Sequence, residues 1–282
     1  MEQFEASIVE WARSRGDIRA VLVVGSRTRS DPPPDAYGDL DLMVYTTDWS
    51  DYVQDKGWLG RFGPVWVTIQ DDIGEGRPEL LVLYGGGYKL DFAFDRASKL
   101  DAIARMDTLP EVLDRGYRVL LDKDGITARF PARPTQPPPI DPPTPAAFAE
   151  TVSAFWYGAV HVAKQIKRNN LWAAKYRDWT MKQQLLAMIE WHARARRGWD
   201  YDTWYEGKLI TRWADPETLD ELNHCFGHFD AADSGRALLA TMDLFRRIAT
   251  TTARRLGYPY PAALDDDVTQ YIRGLGLTPT QS

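Results

Sequence analysis

The chain has 282 residues, 44% of them hydrophobic and 12% aromatic, a composition that can bury a sizeable core and excludes a disordered protein. Its formal net charge is −6, so it lacks the basic surplus of a protein that grips nucleic-acid backbone, while an acidic cleft would attract a cationic small molecule. One cysteine, Cys225, excludes an internal disulfide framework.

From the N-terminus, Met1-Glu2-Gln3-Phe4-Glu5 has neither the basic start nor the apolar stretch of a signal peptide. The sequence contains no apolar run of about 18 residues that would span a membrane. A cytoplasmic location and no membrane partner are therefore expected. Residues 2–15 suit an amphipathic helix, with Phe4, Ile8 and Trp11 on one face. Strands are predicted at 20–24, 40–45, 65–70, 80–84, 90–94 and 118–121. A hairpin turn is expected at "YGGGYK" (84–89), and helices within 49–60 and 98–115. This first part, 1–130, reads as a mixed α/β domain with a central sheet.

"FPARPTQPPPIDPPTPAAF" (130–148) carries eight prolines, so 131–147 is expected to be a stiff connector. From 148 to 282 nearly everything has helical period, giving four or five packed helices. Val152, Phe155, Trp156, Ala159, Ala163 and Ile166 mark one of them, and Met181, Leu185, Met188 and His192 another. Asp215-Pro216-Glu217 is a helix start, and a last long helix over 234–256 stops at Gly257.

The chemistry concentrates in "VVGSRTRSDPPPDAYGDLDLMVY" (23–45). Residues i and i+2 of a strand share a face, so Asp39 and Asp41 project together while Leu40, Leu42 and Val44 turn to the core. "KLDFAFD" (89–95) repeats the pattern, with Asp91 opposite Leu90, Phe92 and Phe94. Two carboxylates alone would equally suit the solvated side of an edge strand. Three converging ones repel each other unless cations neutralise them, and oxygen ligands suit Mg²⁺. Two such ions can hold the attacking and leaving oxygens of a phosphoryl or nucleotidyl transfer. The Gly25-Ser26 turn follows a buried strand, so its backbone N–H groups and the Ser26 hydroxyl can cradle phosphate, with Arg27 and Arg29 adding charge. "HCFGH" (224–228) suggests zinc, but with one cysteine in the chain the ligands are too few, and an ordinary buried cysteine is expected.

A Gly-Ser turn, a D-x-D on the next strand and a third carboxylate later resemble the nucleotidyltransferase superfamily. The segments "VVGSRTRSD", "AFWYGAVHVAKQIKRNNLWAAKY", "LLAMIEWHARARRGW" and "LFRRIATTTARRLGYPYP" resemble, across both parts and in order, the aminoglycoside 6-adenylyltransferases, also called streptomycin adenylyltransferases. That resemblance implies a nucleotidyltransferase domain with a mixed sheet followed by an all-α bundle, with the active site in the cleft between them. It implies transfer of AMP from Mg-ATP to a streptomycin hydroxyl with release of pyrophosphate. Asp39 and Asp41 would bind the metal ions, and Asp91 would be a ligand or the general base. Gly25, Ser26 and Arg27 would hold the triphosphate, with Lys182, among Lys175, Arg177 and Lys182, as the favoured cation of the helical part. Streptomycin carries two guanidinium groups, so Asp95, Asp178 and Glu190 are expected carboxylate partners and Trp172, Tyr176 or Trp179 stacking faces. Trp156 and Trp191 are expected in the core. A monomer acting on small molecules is expected. The rival readings are a different small-molecule or protein acceptor, or a non-catalytic protein that binds nucleotide or antibiotic.

Overall fold

The computed structural model describes residues 1–29, 33–133 and 140–277. The chain divides into two compact units, Met1–Thr135 and Gln136–Ser282.

The first unit is built on six strands: β1 (Ile18–Val24), β2 (Leu40–Thr46), β3 (Val65–Asp72), β4 (Pro78–Tyr84), β5 (Tyr88–Arg96) and β6 (Arg118–Asp122). They form one sheet in the order β3-β4-β5-β2-β1-β6. Every neighbouring pair is antiparallel except β2 and β5, which run parallel. The β4–β5 hairpin turns through the predicted glycines, of which Gly86 and Gly87 adopt positive φ. Alternation along the strands sorts side chains onto two faces. Leu40, Leu42, Val44, Leu90, Phe92 and Phe94 pack with Ile8, Trp11 and Ala12 of α1 (Glu2–Arg13) and with Tyr52, Trp58 and Leu59. The opposite face carries Met43, Tyr45 and Ala93 against Leu100 and Ile103 of α3 (Ser98–Ile103) and Leu113 of α4 (Glu111–Asp114). The helix expected within 49–60 is a five-residue α2 (Ser50–Gln54) followed by a 3-10 segment, Lys56–Arg61, which stacks Trp58 on Trp11 at 4.5 Å between ring centres.

The second unit is helical: α5 (Pro145–Lys167), α6 (Leu171–Arg197), α7 (Ile210–Trp213), α8 (Pro216–Leu222), α9 (Ala231–Leu256) and α10 (Ala262–Gly274). α5 begins inside the segment read as connector because Thr144 caps it, accepting from the Ala147 N–H, and Pro145 suits the first turn. The prolines at 134 and 137–139 lie outside the described residues. α5, α6 and α9 pack on one another around Trp156, Met188 and the face-to-face rings of Phe155 and Phe245, 3.6 Å apart. Trp156 is fully buried and Trp191 packs at the edge of that core, as expected. α9 stops at Gly257 in the left-handed conformation.

The expectation that α9 would be the last long helix is corrected by α10. Asp265 of α10 is buried and its carboxylate is spoken for. Arg246 of α9 donates to it from Nε and Nη2, both at 2.7 Å, and the Tyr260 hydroxyl donates at 2.8 Å. Removing the arginine strands a buried charge, so Arg246→Ala is expected to cost about 3 kcal/mol of stability, read by chemical denaturation. A loss below about 1 kcal/mol would show that water replaces the guanidinium at no great cost.

Candidate active site

The register of the single parallel pair positions the acidic groups. Asp41 of β2 lies directly opposite Asp91 of β5, and on its other side opposite Val24 at the end of β1. Asp39 sits just ahead of β2. The chain leaves β1 through Gly25 (φ +69°) into a single 3-10 turn, Gly25–Thr28, held by the Thr28 hydroxyl donating to the Gly25 carbonyl at 2.8 Å. A Cβ on Gly25 would fall 2.1 Å from the Asp41 Oδ2. Glycine is required here twice over, for its left-handed backbone and for the approach of the carboxylate.

The Arg27 guanidinium is anchored to the backbone. Its Nε donates to the Asp39 carbonyl at 2.9 Å and its Nη2 to the Gly38 carbonyl at 2.6 Å. The guanidinium thereby clamps the backbone that presents Asp39 to the turn carrying Ser26.

The sequence reading missed Lys89. It precedes Asp91 by two residues on β5, so strand alternation puts it on the same face. Its Nζ donates to Asp91 Oδ2 at 2.7 Å and to Asp39 Oδ2 at 3.0 Å. Burial pulls the ammonium's pKa down, but the hydrogen bonds and charges of Asp91 and Asp39 outweigh it and raise the pKa above the ordinary value. Asp91 is also raised, chiefly by burial, which Lys89 opposes. Glu79 of β4 is a further acid on this face; burial, Asp91 and Asp41 all push it upward. Among the described residues no three His, Cys, Asp or Glu side chains stand close enough together to ligate an ion, and the Lys89 ammonium lies between two of the carboxylates. The donor set nonetheless fits a hard cation. It is all carboxylate oxygen, and the buried Asp91 Oδ1 has no hydrogen-bond partner.

Asp95 lies on the same strand face as Asp91 but four residues further along, roughly 13 Å at the strand rise, and pairs with Arg77 at 3.1 Å.

In the helical unit, Trp172, Tyr176 and Trp179 fall at helical spacing on α6 and all three are exposed, Trp172 by 82%. Lys182 is buried, ion-paired with Asp178 one turn earlier, with its ammonium 4.9 Å from the Phe226 ring centre. It borders a cavity of about 650 Å³ walled largely by Leu185, Leu186, Ile189 and Leu222. Lys175 donates to the Gly227 carbonyl, and Arg177 lies against the Tyr176 ring. Cys225 is buried with its thiol toward the Glu221 carbonyl, while the exposed His228 contacts Asp233.

Burial raises Glu190 to about 7, with Arg194 pulling the other way. A folded-state pKa above the ordinary carboxylate value means that the native protein holds the extra proton between about pH 4.5 and 7. Stability from this group is therefore lost as pH rises through that window. Glu190→Gln is expected to stabilise the protein at pH 8 by roughly 1–3 kcal/mol, the lower end if water reaches the group, and to change little at pH 4. Equal effects at both pH values in denaturation curves would refute the assignment.

A strand pair thus sets two carboxylates side by side, beside a Gly-Ser turn closed onto one of them. Residues 1–275 match the family model described as streptomycin adenylyltransferase, and the chain belongs to that family. An aminoglycoside 6-adenylyltransferase of Bacillus subtilis (strain 168) is 26% identical over 276 residues, covering 95% of this chain and 94% of the relative. One from Campylobacter jejuni is 24% identical over 272 residues, covering 94% and 92%. A crystal structure of an aminoglycoside 6-adenyltransferase from Bacillus subtilis aligns over 99% of both chains at 21% identity, with a TM-score of 0.47. No described helix is long and apolar enough to cross a membrane.

Proposed function

We propose that the protein transfers AMP from ATP to a hydroxyl of an aminoglycoside, streptomycin first, releasing pyrophosphate. The observation that carries the reading is the carboxylate of Asp41 held between Gly25 and Asp91, in a chain whose relatives are named for this activity. Asp39 and Asp41 would hold Mg²⁺, with Asp91 as a further ligand or as the general base, and two ions are expected from the number of carboxylates. When bound, the metal would neutralise charge on the α-phosphate and on the leaving pyrophosphate.

The chain's own groups supply the rest. Backbone N–H groups of the Gly25-Ser26 turn and the Ser26 hydroxyl take the triphosphate oxygens. Arg27 fixes the Gly38–Asp39 backbone so that the Asp39 carboxylate stays in place. The acceptor hydroxyl oxygen bonds to the α-phosphorus, the α–β phosphoanhydride bond breaks, and pyrophosphate leaves with its electron pair. As the general base, Asp91 receives the hydroxyl proton. The burial that raises its proton affinity supports that role, because a base works best with a pKa nearer neutrality. In the helical unit, exposed Trp172 and Tyr176 and the carboxylate of Asp178 are the kinds of group that a guanidinium-bearing acceptor would engage.

Pyrophosphate release from Mg-ATP, measured with and without streptomycin, tests the reading. Release that depends on streptomycin supports it. Tight Mg-ATP binding with no streptomycin-dependent release would redirect the search to another aminoglycoside or to a protein acceptor.

A further inference from the structure

We propose that Lys89 is the resident counter-ion of the acidic cluster, and that a divalent cation enters by displacing its ammonium from Asp39 and Asp91. The inference rests on the metal site proposed above and adds a specificity-determining residue to it.

The geometry is that of a tethered competitor. One ammonium bridges Oδ2 of Asp39 and Oδ2 of Asp91, 3.0 and 2.7 Å away, where oxygen atoms are needed for a hard cation. A metal ion and an ammonium cannot share those oxygens at contact distance, since two cations a few ångströms apart repel strongly in a partly buried site. The lysine side chain is 40% exposed, so its head group can swing into water without opening the core. The Asp91 Oδ1 remains buried without a partner even with Lys89 in place, so the lysine satisfies only part of the donor set.

Two consequences follow from this competition. Without metal, Lys89 neutralises carboxylates that would otherwise repel and loosen the β2–β5 pair. With metal, it subtracts from affinity, so that the cluster binds its cation less tightly than its carboxylates alone would. By linkage, whatever stabilises the lysine-bridged state must weaken metal binding to the same extent.

The experiment measures Mn²⁺ binding to the metal-free full chain through the electron paramagnetic resonance signal of free Mn²⁺. Wild type, Lys89→Met, Lys89→Gln, Lys89→Arg and Asp41→Asn are compared, each also melted in EDTA and in saturating Mn²⁺. Lys89→Met and Lys89→Gln are expected to bind Mn²⁺ about tenfold tighter or more than wild type, because a unit positive charge has left the site. Both should melt below wild type in EDTA, with the gap closing or reversing in Mn²⁺. Lys89→Arg, which keeps the charge, should stay within about threefold of wild type. Equal or weaker Mn²⁺ binding by the two neutral variants overturns the competitor role. A different result overturns the metal site itself, and this inference with it: no Mn²⁺ bound by wild type, or binding undiminished in Asp41→Asn.

Discussion

Asp41→Asn is expected to lower streptomycin-dependent pyrophosphate release by about 100- to 1000-fold or more while leaving the protein folded. The substitution keeps the size of the side chain and removes the negative charge that would hold a metal ion opposite Asp91. Because the charges of Asp91 and Asp41 push Glu79 upward, removing the Asp41 charge relieves repulsion on this face. The melting temperature should hold or rise slightly. Activity lost together with a large fall in melting temperature would mean that Asp41 is structural. Activity retained within about threefold would remove it from the chemistry.

Gly25→Ala has the second large expected effect, and it acts without removing any catalytic group. The new methyl would stand 2.1 Å from Asp41 Oδ2 and 3.0 Å from its Cγ, so the carboxylate has to move. A displacement of about 1 Å in a reacting constellation costs on the order of 100-fold. The backbone at φ +69° adds about 1 kcal/mol of strain for any L side chain. The expected result is a fall of about 100-fold in kcat/KM for pyrophosphate release, with a loss of only about 1–2 kcal/mol in stability. Wild-type turnover in Gly25→Ala would show that the placement of Asp41 is unimportant.

Much of this arrangement was legible in the sequence because strand alternation is strict. Asp39, Asp41 and Asp91 could be assigned to one face from the apolar residues between them; β2 carries Asp41 and β5 carries Asp91, side by side, while Asp39 sits just ahead of β2. Adjacency of those two strands was not legible, since their paired residues stand 50 positions apart, as Asp41 and Asp91 do, and nothing local fixes which strand pairs with which; the register comes from the sheet as a whole. Lys89 was within reach of the same alternation rule, but its bridge to Asp39 was not, because that aspartate stands 50 positions away in the chain. Gly25 was read as a phosphate cradle, whereas the structure adds a steric reason that depends on Asp41, a residue on another strand. The clamp by Arg27 was not legible because its two carbonyl partners, at Gly38 and Asp39, lie 11 and 12 positions further along the chain. α10 was hidden for a similar reason, as the buried Asp265 makes sense only once Arg246 of α9 is beside it.

The parallel β2–β5 pair also bears on how the protein comes to be active. β2 ends at Thr46 and β5 begins at Tyr88, and the whole of β3 and β4 lies between them. Closing a loop of that length costs roughly 3 kcal/mol in chain entropy before any contact repays it. The β3–β4–β5 meander is local and can form by neighbouring hairpins, but Asp41 meets Asp91 only when that meander docks along β2. The acidic cluster is therefore a product of a long-range step of sheet assembly, and the β3–β4–β5 meander by itself carries Asp91 without Asp41.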